Sequence, residues 1–300
     1  MKILVTGSNG LLGQKLIHLI TQDPEVELIA TSRGANRTKL KEGYVYEPLD
    51  ITNKEEVGEL IFGHEPDVVI NTAAMTNVDA CEDDKEGCDD LNVHAVEYLV
   101  DACEQVDAHL IHVSTDFIFD GLEGPYREDD EPNPVNYYGE SKLKGEQIVS
   151  AAKTPWAILR TVLVYGVADN MSRSNIVLWA KGALEKGQEL KIVNDQYRTP
   201  TLAEDLAMGC YLCAKKEGRG VFNISGDDFM SIYELVDRVG KFYGIDTNSV
   251  SPVTSTGLNQ RAGRPPRTGF YIDKARQVLG YQPHSFEEGL ALVGKQLAQA

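Results

Sequence analysis

The sequence is poor in positive charge and has no long apolar run. Its 29 Lys and Arg residues face 46 Asp and Glu residues, so the 300-residue chain carries a formal net charge of −17. A field of that sign repels phosphate backbones and anionic lipids, so we expect neither nucleic acid nor a membrane as a partner. The apolar run at residues 3–5 is too short for the core of a signal peptide, and no stretch approaches a transmembrane span.

Spacings typical of metal sites are also missing. The six histidines show no HxxxH or similar pattern, and we expect His109 and His112 to be structural. Cys210 and Cys213 form a CxxC in a helix-like run, without the second pair that a zinc site needs. Five cysteines are an odd number with no secretory context, which favours buried, reduced thiols in the cytoplasm.

Short β-branched runs alternate with amphipathic stretches in the first half of the chain. The strand-like runs are 2–6, 26–32, 44–49, 67–73, 109–115 and 156–165. The helix-like stretches between them include 11–20, 54–62 and 88–105. This order predicts an α/β fold of the Rossmann type, a doubly wound parallel sheet with helices on both faces.

The alternation fades after Gly166. The later helical patterns are 175–186, 203–216, 231–243 and 286–299, with short strands near 190–193 and 221–225. We expect residues 1–165 to form a dinucleotide-binding domain. Residues 166–300 would then form a smaller, mostly helical substrate-binding region, interleaved with the last strands and helices of the sheet.

A glycine loop, VTGSNGLLGQKL, joins the first strand to the first helix. Gly7, Gly10 and Gly13 follow a GxxGxxG spacing. Glycine permits a tight turn, lets the backbone approach a pyrophosphate and lets the helix pack on the strand. The phosphates would then meet the positive end of the helix. The loop therefore predicts a dinucleotide site, with an ordinary strand-to-helix turn as the alternative.

The end of the second strand bears on the choice of cofactor. A carboxylate there would accept a hydrogen bond from the ribose of NAD. The sequence has Ser32 and Arg33 instead, and Arg33 could receive the 2′-phosphate of NADP. NADP is therefore favoured and NAD stays possible. The alternative for Arg33 is an ordinary solvated arginine.

The stretch NYYGESK, residues 136–142, contains two tyrosines and a lysine. In a helix Tyr138 and Lys142, four residues apart, share a face, whereas Tyr137 and Lys142 diverge. Because a nearby ammonium favours tyrosinate and lowers the pKa of the tyrosine, we expect Tyr138 to be a proton donor and Lys142 to tune it.

A strand-like run, HLIHVST, ends at Ser114 and Thr115. Doubly wound folds bind ligands at the carboxyl edge of the sheet, where these residues would lie. A hydroxyl group there can hold a substrate carbonyl for hydride attack. The alternative for Thr115 is a hydroxyl that caps the end of the strand.

Five stretches together resemble a known family over nearly the whole chain. They are TGSNGLLG, NTAAMTNVDACE, VSTDFIFDG, YREDDEPNPVNYYGESKLKGE and NDQYRTPT. Their joint order is similar to the extended short-chain dehydrogenase/reductase superfamily. Within it, the chain most resembles the dTDP-4-dehydrorhamnose reductase family.

The resemblance implies a reductase whose catalytic set is Thr115, Tyr138 and Lys142. NADPH would deliver hydride to C4 of a nucleotide-linked 4-keto-6-deoxy sugar, Tyr138 would protonate the alkoxide, and Lys142 would also hold the nicotinamide ribose. The cofactor contacts expected are Gly7, Asn9, Gly10, Leu11, Leu12, Gly13, Ser32, Arg33, Asp50, Ile51, Ala73, Ala74, Thr76, Tyr138 and Lys142. The substrate contacts expected are Ser114, Thr115, Asp116, Phe117, Leu163 and Arg198.

Several positions depart from the family pattern or stay ambiguous. Phe117 replaces a tyrosine of the family, and Leu163 replaces a tryptophan associated with its sugar pocket, so the exact sugar is open. Lys15 stands where some members have a metal-binding glutamate, and we expect no metal. Arg198 could bind diphosphate or form a structural ion pair. The sequence leaves monomer and homodimer open.

Two other functions remain possible on the sequence. A nucleotide-sugar epimerase or dehydratase needs further acid/base groups near Thr115, where Asp116 is the only adjacent carboxylate. A non-catalytic NADP-binding subunit is the second alternative, because the segment FDG…YREDD…YG resembles the regulatory subunit of methionine adenosyltransferase. The set Thr115, Tyr138 and Lys142 favours an enzyme.

Overall fold

The computed structural model describes residues 1–171, 174–257 and 260–299. The strands are β1 Lys2–Thr6, β2 Glu27–Ser32, β3 Val45–Pro48, β4 Val68–Asn71, β5 His109–Thr115, β6 Trp156–Thr161, β7 Val164–Tyr165, β8 Leu190–Val193, β9 Tyr197–Arg198, β10 Thr201–Leu202, β11 Gly220–Asn223, β12 Met230–Ser231 and β13 Val250–Val253. The helices are α1 Leu11–Ile20, α2 Lys54–His64, α3 Val78–Asp83, α4 Lys85–Asp89, α5 Ala95–Val106, α6 Tyr137–Ser150, α7 Ile176–Glu185, α8 Ala203–Lys215, α9 Ile232–Tyr243 and α10 Phe286–Leu297.

Seven parallel strands form the main sheet, in the order β3-β2-β1-β4-β5-β6-β11. Successive side chains of a strand point to opposite faces, so Ile3 and Val5 of β1 join the core under α1 and α8. Leu4 lies between them in sequence and joins the core under α2 and α5. The predicted doubly wound parallel sheet with helices on both faces is confirmed.

The predicted strand 156–165 is wrong at its carboxyl end. Strand β6 stops at Thr161, and β7 begins at Val164 and pairs with β10 outside the main sheet. The cause is Leu163, whose φ of 41° lies in the left-handed region and breaks the extended backbone. The break carries Leu163 onto the wall of a cavity described below.

Residues beyond Gly166 contribute to two cores. Strand β11 pairs with β6 in the main sheet, and α8 packs against α1. Helices α7, α9 and α10 enclose a separate core with β8, which includes Val177, Val236 and Leu290. None of the helices in the described part of the chain combines the length and apolar composition that crossing a bilayer requires.

A buried ion pair fastens helix α6 to the sheet. Arg160 of β6 meets Glu146 of α6 with Nη2–Oε2 at 2.8 Å and Nε–Oε1 at 3.1 Å. Both side chains are about 5% exposed. At the start of α6, the side chain of Asn136 accepts a hydrogen bond from the Gly139 amide at 2.8 Å and caps the helix. The position of α6 matters because it carries Tyr138 and Lys142.

We predict that Glu146→Leu lowers the free energy of unfolding by about 3 to 5 kcal/mol, because it leaves the Arg160 charge buried without a counter-ion, with the Glu128 carbonyl as its remaining acceptor. The double variant Arg160→Met/Glu146→Leu removes both charges and should recover most of that loss. Urea unfolding followed by circular dichroism measures both values. A double variant as unstable as the single variant would contradict this account of the pair.

Candidate active site

A cavity of about 580 Å³ opens at the carboxyl edge of the sheet. It lies beside β1 and β4, between which the strand order reverses, and this is where doubly wound folds bind ligands. The predicted site residues that line it are Gly7, Asn9, Gly10, Leu11, Leu12, Gly13, Ala74, Thr76, Ser114, Thr115, Asp116, Phe117, Tyr138, Lys142 and Leu163. The glycine loop and the NYYGESK helix, far apart in sequence, therefore face one space.

The glycine loop presents an uncapped helix end to this cavity. Helix α1 begins after Gly10 with no side-chain cap and no acidic residue in its first turn. Its first backbone amides are thus available to an anion, and the helix dipole favours negative charge there. A Cβ atom at Gly13 would overlap the backbone of Gly7 and Ser8, so only glycine permits this close turn. The loop fits the pyrophosphate of a dinucleotide.

The residues predicted to face the adenosine end lie outside the cavity wall. Arg33 follows β2 with a side chain 79% exposed, and its Nη1 lies 3.9 Å from Oδ2 of Asp50. The loop that contains Arg33 is tied to the glycine loop, because the Arg37 amide donates to Asn9 Oδ1 at 2.8 Å. Ser32, Ile51 and Ala73 are also outside the wall; Ile51 is part of the core under α2.

Of the two adjacent tyrosines, Tyr138 faces the cavity and Tyr137 does not. The Tyr137 hydroxyl donates to Asp89 Oδ2 at 2.8 Å, on the outer side of α6. The ring of Tyr138 meets Phe117 edge-on, with centroids 5.9 Å apart. Helix α6 reaches this position because Gly139 has no Cβ atom; one would overlap the carbonyl of Phe117.

Burial dominates the protonation of Tyr138. Desolvation raises its pKa, and the nearby Thr115 hydroxyl lowers it only in part. Lys142 is not among the largest causes of the shift in the Tyr138 pKa, and the expected lowering by Lys142 stays a prediction. The Lys142 Nζ instead donates to the Val113 carbonyl at 2.8 Å and lies 3.1 Å from His112 Nε2.

Lys142 is itself strongly perturbed. The residue is 2% exposed, and burial lowers its pKa to about 8, while Glu146 and Cys88 oppose the change. Glu146 is engaged with Arg160, so it does not contact the Lys142 amine as a free counter-ion. The cavity therefore contains an acid whose pKa is raised and an amine whose pKa is lowered.

Asp116, which lines the cavity, forms a buried pair with Arg198, which does not. Arg198 Nε lies 3.6 Å from Asp116 Oδ2, and the guanidinium donates to the carbonyls of Tyr197 at 2.7 Å and Pro265 at 2.8 Å. Arg198 is 3% exposed and does not line the cavity. Its contacts match the structural ion pair and give no support to diphosphate binding.

The Asp116 carboxylate is also fully engaged. It accepts from Thr268 and from Thr115 Oγ1, and burial raises its pKa. By contrast, Ser114 Oγ is buried beside the same cavity and has no hydrogen-bond partner among the described residues. A buried hydroxyl without a partner at a cavity wall fits a ligand oxygen.

Comparison with known proteins assigns the chain to a family. Residues 1–299 match the family described as RmlD substrate binding domain. The chain belongs to this family.

Three similar proteins include one subunit of methionine adenosyltransferase and two dTDP-4-dehydrorhamnose reductases. Methionine adenosyltransferase 2 subunit beta of Bos taurus is 28% identical over 260 residues, which cover 85% of this chain and 76% of that protein. A dTDP-4-dehydrorhamnose reductase structure from Clostridium acetobutylicum is 30% identical with a TM-score of 0.87, over 99% of this chain and 100% of that chain. The dTDP-4-dehydrorhamnose reductase of Bacillus anthracis, solved with NADP, is 27% identical with a TM-score of 0.83, over 98% and 99%.

Lys15, which bears on the expectation that no metal binds, forms an ion pair within this chain. Its Nζ lies 2.8 Å from Glu204 Oε1. Within residues 1–171, 174–257 and 260–299 there is no group of three or more acidic, His or Cys side chains arranged to hold a metal. The expectation that the protein uses no metal stays a prediction.

Two residues that organise the site were not predicted. Asn92 accepts from the Met75 amide at 2.9 Å and donates to Ser141 Oγ at 3.0 Å, which joins the segment after β4 to helix α6. Asn92 sits in a π-helical turn, residues 90–94, which simple helical periodicity does not reveal. The second is His112, which the sequence placed among structural histidines but which contacts the Lys142 amine.

Two arginines of the loop at residues 260–268 form ion pairs with helix α3. Arg264 Nη2 lies 2.7 Å from Asp79 Oδ2, and Arg261 pairs with Asp83. The Arg264 guanidinium holds the pKa of Asp79 at about 2. These arginines are thus engaged with helix α3 of their own chain.

We predict that Lys142→Met stabilises the protein by about 2 kcal/mol at pH 7. With a folded pKa of about 8 against an unfolded value near 10.4, the amine costs about 3 kcal/mol there, and its lost hydrogen bonds offset about 1 kcal/mol. The unfolded chain binds the extra proton, so the cost is full below pH 8 and disappears as the pH rises towards ~10.4.

Urea unfolding at pH 7 and at pH 10 measures this difference. The matched control is Lys144→Met on the same helix, whose side chain is 46% exposed, and which should change stability by less than about 0.5 kcal/mol. A Lys142→Met protein that is less stable than the wild type at pH 7 would contradict the lowered pKa.

Proposed function

We propose that this protein is an NADP-dependent reductase of the C4 ketone of a nucleotide-linked 4-keto-6-deoxy sugar, with dTDP-4-dehydrorhamnose as the first substrate to test. The observation that carries the proposal is that an uncapped glycine-loop helix shares one cavity with Thr115, Tyr138 and Lys142. Residues 1–165 would bind the dinucleotide, and residues 166–300 would supply much of the substrate region.

In this proposal the cofactor lies along the carboxyl edge of the sheet. The amides of Leu11, Leu12 and Gly13 would hold the pyrophosphate, because that helix end is uncapped. The exposed Arg33 would bind the 2′-phosphate, and Lys142 would bind the nicotinamide ribose. When bound, NADPH supplies the hydride, so the chain itself has to orient the ketone and provide a proton.

The hydroxyl groups at the end of β5 would orient the ketone. Ser114 Oγ is buried and has no partner in the part of the chain that the structure describes, so it could donate to the carbonyl oxygen. Thr115 and Tyr138 line the same cavity near one another, which would put the acid beside the same oxygen. The raised pKa keeps Tyr138 protonated at neutral pH. An alkoxide is a stronger base than tyrosinate, so transfer of the Tyr138 proton to it is downhill.

Two apolar side chains would face the sugar. Phe117 and Leu163 both line the cavity and offer no hydrogen bond. Such a wall suits the C6 methyl group of a deoxy sugar better than a hydroxymethyl group, because burying an unpaired hydroxyl is costly. This argument supports a 6-deoxy sugar and says nothing of the base.

The alternatives find less support. An epimerase or dehydratase needs a further proton carrier, and Asp116 is the only carboxylate among the described residues that line the cavity. It is occupied by Thr115, Thr268 and Arg198. A regulatory NADP-binding subunit is supported by the bovine relative and needs no turnover, so an assay has to decide.

We predict that the wild-type protein oxidises NADPH in the presence of dTDP-4-keto-6-deoxy sugar, followed as loss of nicotinamide absorbance. Tyr138→Phe should lower kcat by about 10²- to 10⁴-fold, because the general acid is lost. The matched control is Tyr137→Phe, the adjacent tyrosine that bonds to Asp89, and it should keep kcat within about threefold. Full activity in Tyr138→Phe would refute the role of Tyr138.

Arg33 allows a separate test of cofactor choice. Arg33→Ala should weaken NADPH binding about tenfold or more, because a charge-assisted hydrogen bond to phosphate is worth about 1.5 to 3 kcal/mol. NADH lacks that phosphate, so its binding should change little and serves as the internal control. Fluorescence titration of the reduced cofactors measures both, and equal losses for the two would contradict the assignment of Arg33.

A further inference from the structure

The Lys142 amine lies at the end of a buried chain of hydrogen bonds. Asn71, at the end of β4, lies 3.1 Å from His112 Nδ1 through its Nδ2 atom. His112 Nε2 lies 3.1 Å from Lys142 Nζ, which donates to the Val113 carbonyl at 2.8 Å. Asn71 and His112 are each 1% exposed. No part of the proposed reaction uses Asn71 or His112.

The donor and acceptor of each hydrogen bond in this series are fixed by the orientation of the Asn71 amide. The Ala73 backbone amide donates to Asn71 Oδ1 at 3.2 Å, and Thr6 Oγ1 donates to the same atom at 2.6 Å. A backbone amide can only donate, so the oxygen of the Asn71 amide must face Ala73. The Asn71 NH₂ group therefore faces His112 Nδ1, which has to accept.

His112 then has one possible tautomer. Burial and the nearby Lys142 lower its pKa well below the usual range, so the ring is neutral. A neutral imidazole carries one N–H, and Nδ1 is an acceptor here, so the proton is on Nε2. The Nε2–H group points at Lys142 Nζ.

An ammonium cannot accept that hydrogen bond, because it has no lone pair. A neutral amine can accept it and still donate to Val113, and both contacts are then satisfied. Resting on the proposed function, we propose that His112 is a positioning residue that weakens proton binding by the Lys142 amine and thereby sets the pH range of turnover.

Apart from burial itself, the neighbouring charged groups do not weaken proton binding by Lys142. Glu146 on the same helix and Cys88 on α4 both favour the charged form. Tyr138, one turn away, is an uncharged phenol at neutral pH, and Asp116 lies on the segment that follows β5. Among the described residues, His112 is the polar side chain whose N–H opposes the Lys142 ammonium by direct contact.

The tautomer can be observed directly in the wild-type protein. Long-range ¹H–¹⁵N spectra of histidine-labelled protein at pH 7 should show a protonated Nε2 and an unprotonated Nδ1 for His112, assigned with His112→Gln. A protonated Nδ1 would overturn the proposal. The measurement is made on the wild-type protein, and the His112→Gln variant serves only to assign the His112 signals.

The effect on Lys142 is tested by titration. In protein labelled with ¹³C at lysine Cε, Lys142 should titrate near pH 8. In His112→Gln, whose side-chain oxygen can accept from the ammonium, the midpoint should rise by at least about 1 pH unit. His109→Gln, a buried histidine of the same strand outside the cavity, is the matched control and should leave the midpoint unchanged.

The kinetic outcome separates this inference from the proposed function. If His112→Gln shifts both the titration midpoint of Lys142 and the pH at which kcat changes, the inference holds in full. If the midpoint moves but the wild type shows no turnover of the sugar nucleotide, the inference about Lys142 stands and the proposed function fails. An unchanged midpoint in folded His112→Gln overturns the inference, whatever the activity.

Discussion

The site depends on how closely helix α6 lies against strand β5. Only glycine at position 139 lets the helix start pass the Phe117 carbonyl, and the Arg160–Glu146 pair fastens the same helix farther along. That close contact brings Tyr138 beside Thr115 and lets the Lys142 amine reach the Val113 carbonyl. A helix even slightly farther away would separate these groups, because hydrogen bonds fade within a few tenths of an ångström.

The same contact removes water from the reactive groups. In such surroundings the neutral forms are favoured, so the pKa of Tyr138 rises and that of Lys142 falls. A neutral acid suits a reaction that ends in an alkoxide, and it does not need a permanent tyrosinate. The hydrogen bonds through Asn71 and His112 lower the pKa of Lys142 further, because they point an N–H group at the amine and so oppose the ammonium in addition to burial.

Much of the fold followed from residue patterns, because buried parallel strands are β-branched and the loops between them are short. The spacing of Tyr138 and Lys142 likewise follows from helix geometry. Sequence patterns failed where a single backbone angle or a long-range contact determines where a strand ends or which groups a side chain contacts. Leu163 has a positive φ that apolar periodicity cannot show, and it ended the strand predicted to run to residue 165.

Long-range contacts account for the other differences. Arg198 is committed to Asp116 and to carbonyls of a loop near residue 265, which local sequence does not reveal. His112 looked like an ordinary strand histidine, since its partner Lys142 lies 30 residues away. The expected control of Tyr138 by Lys142 was a spacing argument, and spacing places two side chains on one face without saying where the amine points.

The central claim is that this cavity is the active site of a ketone reductase. Isotope transfer tests it most directly. A single turnover with NADPH deuterated at C4 of the nicotinamide and dTDP-4-keto-6-deoxy sugar is followed by mass spectrometry and NMR of the sugar nucleotide. The account predicts a reduced sugar that carries deuterium at C4. Unchanged substrate with NADPH still bound, or a reduced product without the label, would contradict it.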